Sequence, residues 1–216
     1  MYHKTHLVTE HGKSRLHSSM NTLCVLVESL FTAIQHNQGH PIDFDSTSSV
    51  GFVNRALSDQ NAGVFSTICF PLNGPVMGTI HGVTPGRIQF EFGTTDIPDP
   101  HEKGTFLTPF AYTVGPVFVE FFERHREWLE DHFVTRSNWP PLFNFASAVR
   151  NAISHGWRIK FITKKKPAPA SWYHLSYSEA DNGREIFGTD IEFGDVVLLM
   201  FEMSDELDKL GCPIDI

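Results

Sequence analysis

Arg150, Asn151 and His155, in the run RNAISHG, are the residues whose types and spacing fit a definite chemistry. A guanidinium is planar, permanently charged and able to grip two phosphate oxygens at once. Histidine is the side chain that exchanges a proton near neutral pH. Together they supply what phosphodiester cleavage needs without a metal, namely charge neutralisation at phosphorus and a proton carrier beside it. On a helix, Asn151 and His155 are four residues apart and share a face, and the long Arg150 stem reaches the same side from about 100° away. RNA suits such a pair because its own 2′-hydroxyl lies next to the scissile phosphate. The enzyme need only remove that proton, stabilise the phosphorane-like charge and protonate the departing 5′ oxygen. DNA, lacking the nucleophile, is expected to be spared.

An Arg followed five to seven positions later by His occurs once more, as Arg126 and His132 in HREWLEDH. There Glu127, Glu130 and Asp131 would repel a phosphate, which makes that stretch a solvated helix face. The surroundings of Arg150 differ. Arg158, Lys160, Lys164, Lys165 and Lys166 follow it closely, five of the seventeen basic residues of a chain whose net charge is −8. A local basic patch can recruit RNA to an acidic body, so these five are candidate RNA-binding residues.

The elements that must position the motif are read from periodicity. Pro140 and Pro141 suit a helix's first turn. The helix after them points Leu142, Phe145, Ala146, Val149 and Ile153 inward and ends at Gly156, where a left-handed residue stops it. Val114, Val117, Phe118, Phe121, Phe122, His125, Trp128 and Leu129 predict the helix before it, and Met20, Leu23, Leu26, Val27, Leu30, Phe31 and Ile34 a first helix. Ser46 to Ser49 predicts the cap of a short second helix with Val53, Ala56 and Leu57. Phe65–Phe70 and Arg87–Phe92 read as strands, as do Trp157–Ile162 and Trp172–Tyr177, with a turn at Asp181-Asn182-Gly183. Thr189 and Glu192 resemble a capping box before a last helix through Val196, Val197, Met200, Met203 and Leu207. His3, His6, His11 and His17 read as a flexible polar terminus. The expected fold is mainly α, a bundle of four to five helices. It forms a single domain over residues 1–216, with a strand-containing insertion at about 63–110 and a hairpin at about 157–187.

Composition removes several classes. With 41% hydrophobic residues the chain can bury a sizeable core. Its longest apolar stretch, Leu23 to Ile34, is broken by Glu28, Ser29 and Thr32, so neither a signal peptide nor a membrane span is expected and the protein reads as cytoplasmic. Cys24, Cys69 and Cys212 form no CxxC, the Gly74 to Gly78 stretch lacks the GK[ST] of a phosphate loop, and no GxSxG or HExxH occurs. Neither a cofactor nor a metal is expected.

The stretch FASAVRNAISHG resembles the signature of the HEPN superfamily, in which Arg, then a polar residue, then His close an R-x(4 to 6)-H motif at a helix end. The resemblance extends over roughly residues 138 to 210, through the Gly-Trp opening, the Trp-Tyr strand pair, the Asp-Asn-Gly turn and the final helix GDVVLLMFEMSDEL. It implies a HEPN-like helical bundle, a homodimer with facing motif helices, and a composite cleft in which one His155 is base and its twin acid. The function expected is a metal-independent endoribonuclease acting on an RNA substrate in a toxin or defence setting, with an antitoxin or other partner protein as regulator. Two alternatives stay open. One is a catalytically silent HEPN-like dimer that binds RNA, a nucleotide or a partner protein. The other is a structural domain in which Arg150 pairs with an acid and His155 caps its helix.

Overall fold

The computed structural model describes residues 6–37, 49–59, 64–71, 84–95, 107–161 and 170–214. Strand β1 (His6–Glu10) leads into helix α1 (His17–Asn37), followed by strands β2 (Ser49–Asp59), β3 (Val64–Pro71) and β4 (Arg87–Thr95). Helix α2 (Leu107–Phe133) and helix α3 (Pro141–Ser154) come next, joined by a single 3-10 turn at Arg136–Asn138. A short hairpin, β5 (Ala170–Trp172) and β6 (Leu175–Tyr177), precedes helix α4 (Phe193–Lys209).

The expectation of a mainly α bundle is overturned. Among the described residues four helices stand with a four-stranded antiparallel sheet of order β1-β4-β3-β2 and a second sheet of two strands, so the class is α+β. The main sheet is half-buried, as an alternating pattern requires. Leu7, Phe52, Ile68, Phe70, Ile88 and Phe90 face the core, while His6, Val8, Arg87, Gln89 and Glu91 face out. Phe193 of α4 stacks on Phe52 at 4.2 Å and meets Phe70 at 5.4 Å, and Phe201 meets Phe90 at 5.7 Å. Aromatic rings thus weld sheet to helix.

Two misreadings explain the correction. The short helix expected after Ser46 to Ser49 is instead β2, where Phe52, Asn54 and Ala56 are buried on alternate positions. A buried Asn54, with Arg55 buried beside it, hid the period of two. The polar terminus is not a free tail from residue 6 onward. His6 to Glu10 pair with β4, and His17 is buried with Nδ1 at 3.1 Å from Thr9 Oγ1. His3 lies outside the described residues.

The helices follow their stripes. Met20, Leu23 and Val27 of α1, and Val114, Phe118, Phe121, Phe122 and Leu129 of α2, are buried. Pro141 occupies the first turn of α3. That helix buries Phe143 through Val149 and Ala152, so its own chain covers it nearly all round until the last turn. The expected strand after Trp157 is reduced to one bridge between Arg158 and Glu185, and Ile162 lies outside the described residues. The cap of α4 forms three residues later than expected, from Glu192 and Asp195, while Thr189 donates to the Glu185 carbonyl. Asp195 is the staple of the fold. Its Oδ2 accepts from Arg55 N and Glu192 N and its Oδ1 from Ala56 N, all at 2.8 to 2.9 Å. Beside it the buried pair Arg55 and Glu192 closes at 2.9 Å. Among the described residues no helix is long and apolar enough to cross a membrane.

Candidate active site at the end of α3

The end of α3 is built by backbone closure. Gly156 has φ +69° and Trp157 φ +63°. Trp157 N–H donates to Ala152 O at 2.7 Å and Gly156 N–H to Ile153 O at 3.2 Å. This crossed pair is the Schellman arrangement, which consumes carbonyls that the helix end would leave bare. It turns Trp157 inward, buried against Phe187 at 4.5 Å, and leaves His155 outside as the C-cap residue. Gly115 of α2 makes room. A Cβ there would come within 3.1 Å of Ile153 Cγ2 and 3.3 Å of Trp157 Cζ2.

Arg150 lies on the last turn with its side chain 29% exposed. Its Nε is 2.6 Å from Glu123 Oε1, and its Nη1 donates to Asn151 Oδ1 at 3.3 Å. The Asn151 amide thus hydrogen-bonds the guanidinium, while the α2 carboxylate stands against Nε as an ion pair without hydrogen-bond geometry. Asn151 is half-buried and His155 exposed. Ser154 Oγ returns to the Arg150 carbonyl at 3.3 Å, so it serves the helix.

The basic segment divides. Arg158 is spent on Gly183 O at 3.2 Å and Glu185 Oε2 at 2.7 Å. Lys160 is exposed, and Lys164, Lys165 and Lys166 lie outside the described residues. The rings weighed as a stacking platform are mostly core: Trp157 and Trp172 are buried, and Tyr173 is exposed with its hydroxyl tied to Glu202. Arg126 is paired with Glu123 and Glu130, and His132 stacks on Trp128 at 4.5 Å.

Glu123 is the site residue that sequence reasoning missed. It stands three positions before Arg126 on one face of α2, and nothing local to Arg150 announces it. The one available signal was the short link between two helices, which makes them antiparallel neighbours and puts α2 acids within reach of α3 bases.

Away from the end of α3, a concavity of about 320 Å³ is lined by His174, Ser176, Tyr177, Arg184, Thr189 and Asp190. Its charges already satisfy one another: Tyr177 donates to Asp190 Oδ2 at 3.2 Å and Arg184 to Oδ1 at 2.5 Å. Burial, with Asp190 adding to it, pushes the Tyr177 hydroxyl well above the usual phenol range. Among the described residues no three His, Cys, Asp or Glu side chains gather as metal ligands. Compared with known proteins, the chain matches no family model, no curated protein and no solved structure.

Proposed function

We propose that the chain is a metal-independent endoribonuclease whose reacting groups are Arg150 and His155. The observation that carries this reading is the pairing, on one helix end, of an oriented yet accessible guanidinium with an exposed imidazole. Arg150 Nη2 and the outer edge of Nη1 take the non-bridging phosphate oxygens while Glu123 holds Nε. His155 exchanges the proton of the 2′-hydroxyl or of the leaving 5′ oxygen. Asn151 fixes the guanidinium. A second His155 comes from a twofold partner. Because the middle of α3 is covered by its own chain, that contact uses only the last turn and its neighbours.

The test is cleavage of radiolabelled single-stranded RNA in EDTA, with dimerisation followed by sedimentation. Wild type is expected to cut RNA and to spare the same strand with 2′-deoxy sugars. His155→Ala and Arg150→Ala should each lower the rate by about 10² to 10⁴ with the dimer intact. Wild-type protein inert on every RNA, or alanine variants as fast as wild type, would overturn the proposal.

A second reading rests on the 2.6 Å contact between Glu123 and Arg150. A guanidinium with a carboxylate partner can serve as a fastener between α2 and α3 in a silent binding protein. In that case Arg150→Ala lowers thermal stability while wild type shows no cleavage.

A further inference from the structure

Arg126 on α2, Arg136 in the turn after it and Arg150 on α3 share two carboxylates. Glu123 serves Arg150 at 2.6 Å and Arg126 at 3.3 Å. Glu130 Oε1 serves Arg126 Nε at 2.8 Å and stays 3.9 Å from Arg136 Nη2. Three cations therefore share two anions, and Arg136 has the longest of the four contacts. Its other partners are neutral: Ser147 Oγ accepts from Nη1 at 3.2 Å, and the guanidinium carbon lies 5.2 Å from the centre of the Trp139 ring.

Such a platform fixes the fork without cancelling its charge. The Arg136 side chain is 49% exposed, so an anion can reach it. Partial burial, together with the like charges of Arg126 and Arg150, holds its pKa below the usual arginine range. An arriving anion would relieve that repulsion. Ser147 and Arg150 are three residues apart on α3 and share a face, which puts the Arg136 fork about one helical turn from the Arg150 site.

We infer that Arg136 binds a backbone phosphate of single-stranded RNA adjacent to the one Arg150 takes, so that the strand runs from the His155 end of α3 across Ser147 to Trp139. This rests on the ribonuclease reading for the identity of the polyanion. The carboxylates set the strength: Glu123 and Glu130 offset two of the three cluster cations on a chain of net charge −8.

The test uses the full-length protein and a fluorescent oligouridylate with 2′-O-methyl sugars, which binds but cannot be cut. Anisotropy is measured from roughly 50 to 200 mM salt, a range over which lost phosphate contacts show as a change in slope. Arg136→Gln should weaken binding several-fold at low salt and flatten the plot of log K against log salt by about 0.7, the single-strand value for one contact. Glu130→Gln should do the opposite and bind more tightly, an outcome that no purely structural role for the cluster produces. Arg136→Lys should keep the slope, and it decides the matter with Glu130→Gln should Arg136→Gln fail to fold. Arg124→Gln, outside the cluster and paired with Glu120, is the control.

A wild-type slope in Arg136→Gln, or no binding of the oligomer by wild type, overturns the inference. If wild type binds with these slopes yet cuts no natural RNA, the phosphate track stands and the nuclease reading fails. If wild type cuts RNA while Arg136→Gln keeps the wild-type slope, the track fails alone.

Discussion

Gly194→Ala should destabilise the protein although it places a better helix former in α4. A Cβ at position 194 would stand 2.4 Å from Asn54 Oδ1, 2.7 Å from the Val53 carbonyl oxygen and 3.0 Å from Ile68 Cγ2. The Asn54 amide can rotate. The Val53 carbonyl is strand backbone and cannot, so β2 and α4 must part by about 0.7 Å to restore ordinary contact. The three bonds from Asp195 to Arg55 N, Ala56 N and Glu192 N cross or flank that seam at 2.8 to 2.9 Å. Opening it carries the two that cross toward the 3.2 Å limit of good geometry and beyond. Overpacking costs about 1–3 kcal/mol, and weakening a hydrogen bond to a buried carboxylate costs about 1.5–3 kcal/mol. Helix propensity returns at most about 1 kcal/mol. The net is a loss of about 3 kcal/mol, read as a urea midpoint lowered by about 1.5 M for a typical slope of about 2 kcal/mol/M. Gly115→Ala is the internal control. Its nearest neighbours are side-chain atoms, Ile153 Cγ2 at 3.1 Å and Trp157 Cζ2 at 3.3 Å, which need to give by only a few tenths of an ångström, so it should fall within about 1 kcal/mol of wild type. A Gly194→Ala protein as stable as wild type, or more so, would refute the claim that this seam is rigid.

Two further outcomes are expected. Burial pushes the Asp195 carboxyl up to about 7 against the three N–H groups that hold it down. For an acid whose folded pKa exceeds its ordinary value of 3.8, the folded state binds the extra proton, so this group's contribution declines as pH rises from about 4 to 7, by about 4 kcal/mol in all. Urea midpoints across that range should therefore fall less steeply in Asp195→Asn than in wild type, and parallel profiles would contradict the assignment. Glu123→Gln keeps an oxygen for Arg150 Nε but removes a negative charge from the cluster. RNA should then bind more tightly, lowering KM, while a less firmly held guanidinium lowers kcat about tenfold. Steady-state cleavage rates separate the two, and a rise in KM would count against the positioning role.

What was legible in the sequence is what local rules govern. The start of α3 at Pro141, its stop at Gly156 and the exposure of His155 follow from residues within a few positions of one another. The sheet was hidden because two of its strands are specified from far away. Asn54 and Arg55 read as surface residues, yet β2 buries them beside Asp195 and Glu192, far along the chain at the start of α4, which accept the Arg55 backbone and side-chain N–H groups. Strand β1 carries Leu7 as its one large buried apolar side chain and depends on β4 for pairing.

The site was half-legible for the same reason. Arg150 could be named, but its partner depended on the register between α2 and α3. The two helices approach closely where Gly115 leaves room for Ile153 and Trp157. Trp157 can fill that space only because the chain turns left-handed at Gly156, and the same turn leaves His155 on the outside. The glycine in α2, the tryptophan after the motif and the acid opposite Arg150 are thus one device. It presents a guanidinium and an imidazole at a helix end that the rest of the core does not cover.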